Sequence, residues 1–195
     1  MLAADNNNGD GAGIQLIVVE PHADDAYLSL HEHLVRWKRR NFTITILTVQ
    51  SAVKNRAEEA RTYADTLGVK WIGLGFDYAE LPEKIDFSLV PGYAPETSRV
   101  IAPLGIQHSD HVYIRSILRP DLVYFDIPYA FKQKNQDALN AIVANRVFDS
   151  FYVPHHTKRD KKYWGCFKSQ SGFFFYNDPA TLSKMPEICL VPEST

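Results

Sequence analysis

Several familiar signals are missing from this 195-residue chain. It has two cysteines, Cys166 and Cys189, too few for a disulfide framework and without the C-x-x-C spacing of a zinc ribbon. No apolar run approaches the roughly 20 residues of a membrane-spanning helix. Neither sign of charge dominates: 21 Lys and Arg against 23 Asp and Glu leave a net charge of −2, which argues against nucleic acid as a partner. Met1–Gly13 is polar and rich in Asn and Gly, lacks the basic and apolar regions of a signal peptide, and reads as a flexible leader ahead of a domain over residues 14–195. Its Gly9, Gly11 and Gly13 precede the first strand, whereas a dinucleotide-binding glycine loop follows one. Core-forming material is plentiful, at 45% hydrophobic and 12% aromatic residues. A soluble, cytoplasmic globular domain is the expectation. Nothing in the sequence speaks to oligomeric state.

Ile14–Glu20 is a short, β-branched apolar run, the pattern of a strand buried on both faces. From Ala26 to Arg40 the spacing turns helical, with Tyr27, Leu30, Leu34 and Trp37 on one stripe. Cations Arg36, Lys38, Arg39 and Arg40 suit the negative end of that helix, with Asn41 as its cap. Thr43–Val49 reads as a strand, Asn55–Leu67 as a helix closed by Gly68 in a left-handed cap, and Lys70–Phe76 as a third strand. Such alternation with short connections predicts an α/β fold: a single three-layer domain with a mostly parallel sheet. Asp77–Gln107 follows, about thirty residues with four prolines and weak periodicity, and reads as a lid or binding loop. A helix over His111–Leu118, a strand over Asp121–Phe125, a helix over Gln136–Phe151 and a strand over Phe173–Tyr176 complete the expected elements.

Chemistry concentrates where the first strand ends. In open parallel sheets ligands bind beyond the carboxyl ends of the strands, and there Pro21-His22-Ala23-Asp24-Asp25 places an imidazole beside two carboxylates. His22 and Asp25 are three apart, so one tight turn can aim both at a point. A neutral imidazole and a carboxylate suit zinc, which takes three protein ligands and a water at catalytic sites. Asp24 could stay off the metal and act on that water as general base. Capping of the next helix explains one of the carboxylates but not the imidazole. A third ligand is on offer in Gln107-His108-Ser109-Asp110-His111, where Asp110 is placed to orient one of two imidazoles, although an Asp in the first turn of an exposed helix is also common.

These two segments resemble the His-Pro-Asp-Asp and His-x-Asp-His motifs of the LmbE-like, or PIG-L, zinc-dependent N-deacetylases. Arg56-Ala57-Glu58-Glu59-Ala60 with Leu67-Gly68-Val69 resembles the family's second helix, and Tyr124-Phe125-Asp126-Ile127-Pro128-Tyr129-Ala130 and Lys168-Ser169-Gln170 are similar to later segments of a bacterial subgroup. The resemblance implies a Rossmann-like fold and hydrolysis of an N-acetyl or similar acyl group on an amino-sugar-like small molecule. It implies one divalent cation, zinc or alternatively Fe2+, on His22, Asp25 and His111. Asp24 would be the general base, and His108, held by Asp110, a charged donor to the oxyanion. Arg56 and Asp77 match places where relatives grip sugar hydroxyls. The chain departs from the family pattern at Ala23, which replaces a proline, at Ala26, which replaces a glutamate, and at His31-Glu32, which replace a Gly-Gly pair. A thiol-conjugate amidase or natural-product tailoring deacylase, and a non-catalytic binding module, are the alternatives.

Other polar groups read as structure. His31, Glu32 and His33 alternate on a helix and do not converge on one ion, so a solvated face is expected. His155-His156 reads as an exposed loop. The basic and aromatic mixture Lys162-Tyr163-Trp164 and Phe167-Lys168 could stack on single strands, but the acidic balance weighs against it. Tyr78, Tyr93 and Tyr113 flank the long loop and could line a sugar pocket.

Overall fold

A computed structural model describes residues 11–78, 80–127, 129–132, 135, 137, 139–140, 149–153, 163, 165–170 and 187–191. The first half alternates as the apolar pattern requires. Strand β1 (Gln15–His22) leads into α1 (Asp25–Arg39), β2 (Thr43–Gln50) into α2 (Lys54–Leu67), and β3 (Lys70–Gly73) follows. Every residue of β1 is buried, as expected of a strand covered on both faces. Gly68 ends α2 at φ 73°, a left-handed conformation that glycine adopts without a Cβ penalty. Asn41 takes the same region, φ 63°, just after α1.

The remaining strands are β4 (Ser98–Pro103), β5 (Leu122–Tyr124), β6 (Asp149–Val153) and β7 (Glu187–Val191), with α3 (Ser109–Ile117) between β4 and β5. They form one seven-stranded sheet in the order β3-β2-β1-β4-β5-β7-β6. The first five strands are mutually parallel, and β7 runs antiparallel to both β5 and β6. Alternate residues of β1 feed opposite layers, as the period of two dictates. Leu16 and Val18 pack with Leu30, Leu34, Tyr63 and Leu67 from α1 and α2. Ile17 and Val19 pack with Ile114 of α3 and with Ile85 and Val90. The three-layer α/β architecture expected from the sequence is the observed one.

Three expectations are corrected. The segment Asp77–Gln107 is not one long loop, since it holds β4, which pairs with β1 at the centre of the sheet. Its earlier part is a packed layer: Leu81, Ile85, Phe87, Val90 and Tyr93 lie in the second core. The helix expected over Gln136–Phe151 gives way to β6 from Asp149 onward, where antiparallel pairing with β7 claims the backbone. His31 and His33 are 3% and 4% exposed rather than solvated. Tyr163 covers the His31 ring at 4.5 Å, and the Glu187 carboxylate of β7 accepts the amides of Glu32 and His33 at 2.8 and 3.2 Å. Tyr163 and Phe167 pack in the first core, which removes both from any base-stacking surface. The expected strand Phe173–Tyr176, His155-His156 and residues 1–10 of the leader lie outside the described residues. Gly11 donates its amide to the Arg40 carbonyl at 2.7 Å. Among the described residues, no helix is long and apolar enough to cross a membrane.

Candidate metal centre

The sheet reverses its winding between β1 and β4, which opens a crevice at their carboxyl ends. Residues His22 to Asp25 leave β1 there, and His108 to His111 open α3 just after β4. Gln107 precedes them at φ 62°, a conformation costly for a residue with a Cβ, and turns the chain so that His108 starts the helix. The topology thus brings together two motifs that lie far apart in the sequence.

Three side-chain atoms converge. His22 Nδ1 and His111 Nε2 lie 3.2 Å apart, and Asp25 Oδ2 is 3.3 Å from each. Two ligand atoms at zinc bond lengths on a tetrahedral ion lie about 3.3–3.4 Å apart, so this triangle has the edges of such a site. The outward nitrogens fix what the inward ones present. His22 Nε2 faces Asp110 Oδ2 at 3.1 Å, and His111 Nδ1 faces Asp126 Oδ1 at 3.0 Å. An imidazole that donates to a carboxylate through one nitrogen presents a lone pair on the other. With both rings neutral, two lone pairs and a carboxylate oxygen meet at the centre, an arrangement that positive charge there, a proton or a metal ion, stabilises.

The electrostatics agree. Burial pulls the His22 and His111 imidazoles down, but the Asp25 carboxylate, joined at His111 by Asp126, outweighs it and holds both rings above their usual range. Burial likewise opposes the Asp25 charge, and the two imidazoles overcome it, keeping that carboxyl well below its ordinary value. His22, His108 and His111 form a second, overlapping triad whose nitrogens lie within 4.8 Å of one another. The tighter triangle through Asp25 is the better match to tetrahedral bond lengths. His108 is half-exposed at the N-cap of α3, where its Nδ1 accepts the Asp110 amide at 3.4 Å. Burial and the neighbouring imidazoles lower its pKa.

The surrounding carboxylates are each tied to a purpose. Asp24 sits at the N-cap of α1 yet makes no side-chain cap bond there. Its Oδ1 instead accepts from Arg56 Nη2 at 3.0 Å, and Arg56 Nη1 donates to the Tyr78 hydroxyl. Asp110 holds His108 through its backbone amide, while its carboxylate Oδ2 lies 3.9 Å from His108 Nδ1. That oxygen serves His22 and accepts from Gln50 Nε2 at 2.8 Å. Asp77 is exposed and turned to its own loop, accepting the Tyr78 amide at 2.6 Å. Of the flanking tyrosines, Tyr78 lies 6.1 Å from the His22 ring, whereas Tyr93 and Tyr113 pack in the second core.

Two participants lie in the segment Tyr124–Ala130, whose resemblance to the family carried no role for either. Asp126 follows β5, grips His111 and also accepts the amides of Gly105 and Ile106 at 2.9 and 2.6 Å. Tyr129 sets its ring 5.4 Å from His108 and 5.6 Å from His111, with burial and the nearby carboxylates pushing its hydroxyl pKa up to about 12. A place just beyond the carboxyl end of a sheet strand was the available signal for Asp126.

The sequence matches no family model and no curated protein. The structure does have counterparts. It is similar to a deacetylase of the teicoplanin biosynthetic pathway, solved as a triple mutant, with a TM-score of 0.65 and 14% identity over 93% of this chain and 98% of that one. A second is the A40926 pseudoaglycone deacetylase, at TM-score 0.61 and 16% identity over 93% of this chain and 97% of the other. A third is the 4-carboxy-2-hydroxymuconate hydratase of Pseudomonas putida KT2440, at TM-score 0.55 and 16% identity over 86% and 83%. At these identities the likeness establishes a common fold, the mostly parallel α/β fold described above.

Proposed function

We propose that this chain is a metal-dependent N-deacetylase, a hydrolase that removes an acetyl or similar acyl group from an amino-sugar-like small molecule. The observation that carries the reading is the triangle of His22 Nδ1, Asp25 Oδ2 and His111 Nε2, with edges of 3.2–3.3 Å and both outward nitrogens on carboxylates. Nitrogen and oxygen donors in this number suit zinc, with Fe2+ as the alternative. His22, Asp25 and His111 would hold the cation, which when bound would supply Lewis acidity to the scissile carbonyl and to a water.

The chain's own residues supply the rest. Asp24 takes the proton of the attacking water and returns it to the amine nitrogen as the C–N bond breaks, so that carboxylic acid and free amine leave and the base is regenerated. Arg56 fixes the Asp24 carboxylate at 3.0 Å, a role added to the sugar contact that the family resemblance implies. His108, expected as a charged donor, is kept neutral by burial and the neighbouring imidazoles; with Nδ1 engaged by the Asp110 amide, it carries its proton on Nε2 and offers it to the developing oxyanion. Asp77 stays a rim contact for sugar hydroxyls. The fold shared with two antibiotic deacetylases favours a second reading of the same class, a natural-product tailoring deacylase.

Acetate release from N-acetylated amino sugars and from N-acylated glycoconjugates tests the reading directly. Metal-dependent release, lost on chelation and restored by zinc or Fe2+, supports it. A metal-loaded protein that frees no carboxylic acid from any N-acyl substrate, yet hydrates an unsaturated acid as the named hydratase does, contradicts it.

A further inference from the structure

A buried carboxylate below the cluster has no part in that chemistry. Glu20 lies in β1 between apolar neighbours and is 1% exposed, a placement that is costly without compensation. Burial pushes its carboxyl up to about 8. Both oxygens are engaged. Oε1 accepts the Thr48 hydroxyl at 2.5 Å, and that hydroxyl oxygen in turn accepts Trp71 Nε1 at 2.8 Å. Oε2 accepts the amide of Ala26 at 2.8 Å.

That last bond has a consequence for Asp24. Ala26 is the second residue of α1, and an N-cap side chain ordinarily accepts the amide of the second or third helical residue. Asp24 occupies the N-cap and would compete for this amide, but its carboxylate is turned to Arg56. Asp25, the first residue of the helix, likewise turns away from the helix end, toward the His22 amide at 2.8 Å and the two imidazoles.

We infer that Glu20 is a positioning residue of the metal centre: it caps α1 from within β1, so that Asp24 and Asp25 face the cluster instead of the helix terminus. The inference rests on the metal-dependent reading above. Thr48 and Trp71 hold Glu20 in place and extend the support into β2 and β3. Without Glu20 the Ala26 amide recruits Asp24, and the turn that sets Asp25 against His22 loosens.

The test is Co2+ titration of the purified full chain, followed by visible absorption, with thermal unfolding of the metal-free proteins alongside. Glu20→Ala is expected to weaken Co2+ binding about 10–100-fold, the usual effect of losing an outer support of a metal site. Glu20→Gln keeps an acceptor for Ala26 and should restore most of the affinity. A merely structural role would lower the melting temperature of Glu20→Ala and leave its Co2+ affinity at the wild-type value, and that result overturns the inference. If Glu20→Ala does not fold, Thr48→Val, which frees Oε1, decides: weaker binding supports the inference and unchanged binding overturns it. Failure of the wild type to bind Co2+ would instead bring down the metal-dependent reading and this inference together.

Discussion

Carboxylates decide what each imidazole can do. Asp126 holds His111 Nδ1 at 3.0 Å through one oxygen while the other accepts two backbone amides. In Asp126→Asn the amide oxygen can keep the backbone bonds, which leaves the NH2 group facing His111. The ring must then accept at Nδ1 and carry its proton on Nε2, pointing into the triangle. Metal affinity should fall about 10–100-fold with the fold intact, readable by titration alongside circular dichroism. A wild-type affinity in this variant would show that Asp126 does not set the tautomer. Asp24→Asn acts on the other side of the chemistry. It should retain metal and lose about 10²–10⁴-fold in kcat, since an amide cannot take the proton of water. An undiminished rate would remove Asp24 from the reaction. The sequence showed both Asp24 and Asp25 because they adjoin His22. It linked Asp110 to His108 but missed that the Asp110 carboxylate also serves an imidazole 88 positions away. Partner choice across elements is a property of the sheet's topology, which adjacency does not encode.

Elements were legible to the extent that their apolar pattern was long and regular. The alternating strands and helices from β1 to β3 stand within a few residues of their expected bounds. Strand β4 was missed because Ser98–Pro103 is six residues, begins with two polar ones and ends on proline, although β1 and β5 pair with it along both edges. Strand β7 is five residues, Glu187–Val191, and its first is a buried glutamate that reads as surface until the helix beside it is known. That glutamate staples the sheet to α1 by accepting two amides in the middle of the helix. The amides belong to Glu32 and His33. Glu187→Ala should destabilise the fold by roughly 1–3 kcal/mol, seen as a lower urea midpoint, because buried groups lose their partner. Glu187→Gln keeps an acceptor and should lose less. Equal midpoints for wild type and the alanine variant would mean that the staple contributes nothing.

At the scale of the whole molecule, the fold explains why the site is where it is. Winding outward from β1 to β3 on one side and from β4 on the other leaves the ends of β1 and β4 facing an open crevice. Four of the expected site residues, His22, Asp24, Asp25 and His111, are buried there, each 8% exposed or less. A ligand that binds only the folded chain stabilises it, so metal should raise the melting temperature. Free metal at 100 times the dissociation constant corresponds to about 2.7 kcal/mol, and chelation should reverse the gain. Unchanged melting in saturating zinc, Co2+ or Fe2+ would separate the fold from any metal.

The central claim is that His22, Asp25 and His111 hold one divalent cation, and metal content tests it most directly. Elemental analysis of protein purified without added metal should find about one equivalent of zinc or iron in the wild type and a marked loss in His22→Ala, which deletes one of three donors. No metal in the wild type, even after titration with zinc, or full occupancy in His22→Ala, would contradict the account and leave a binding module on the same α/β fold.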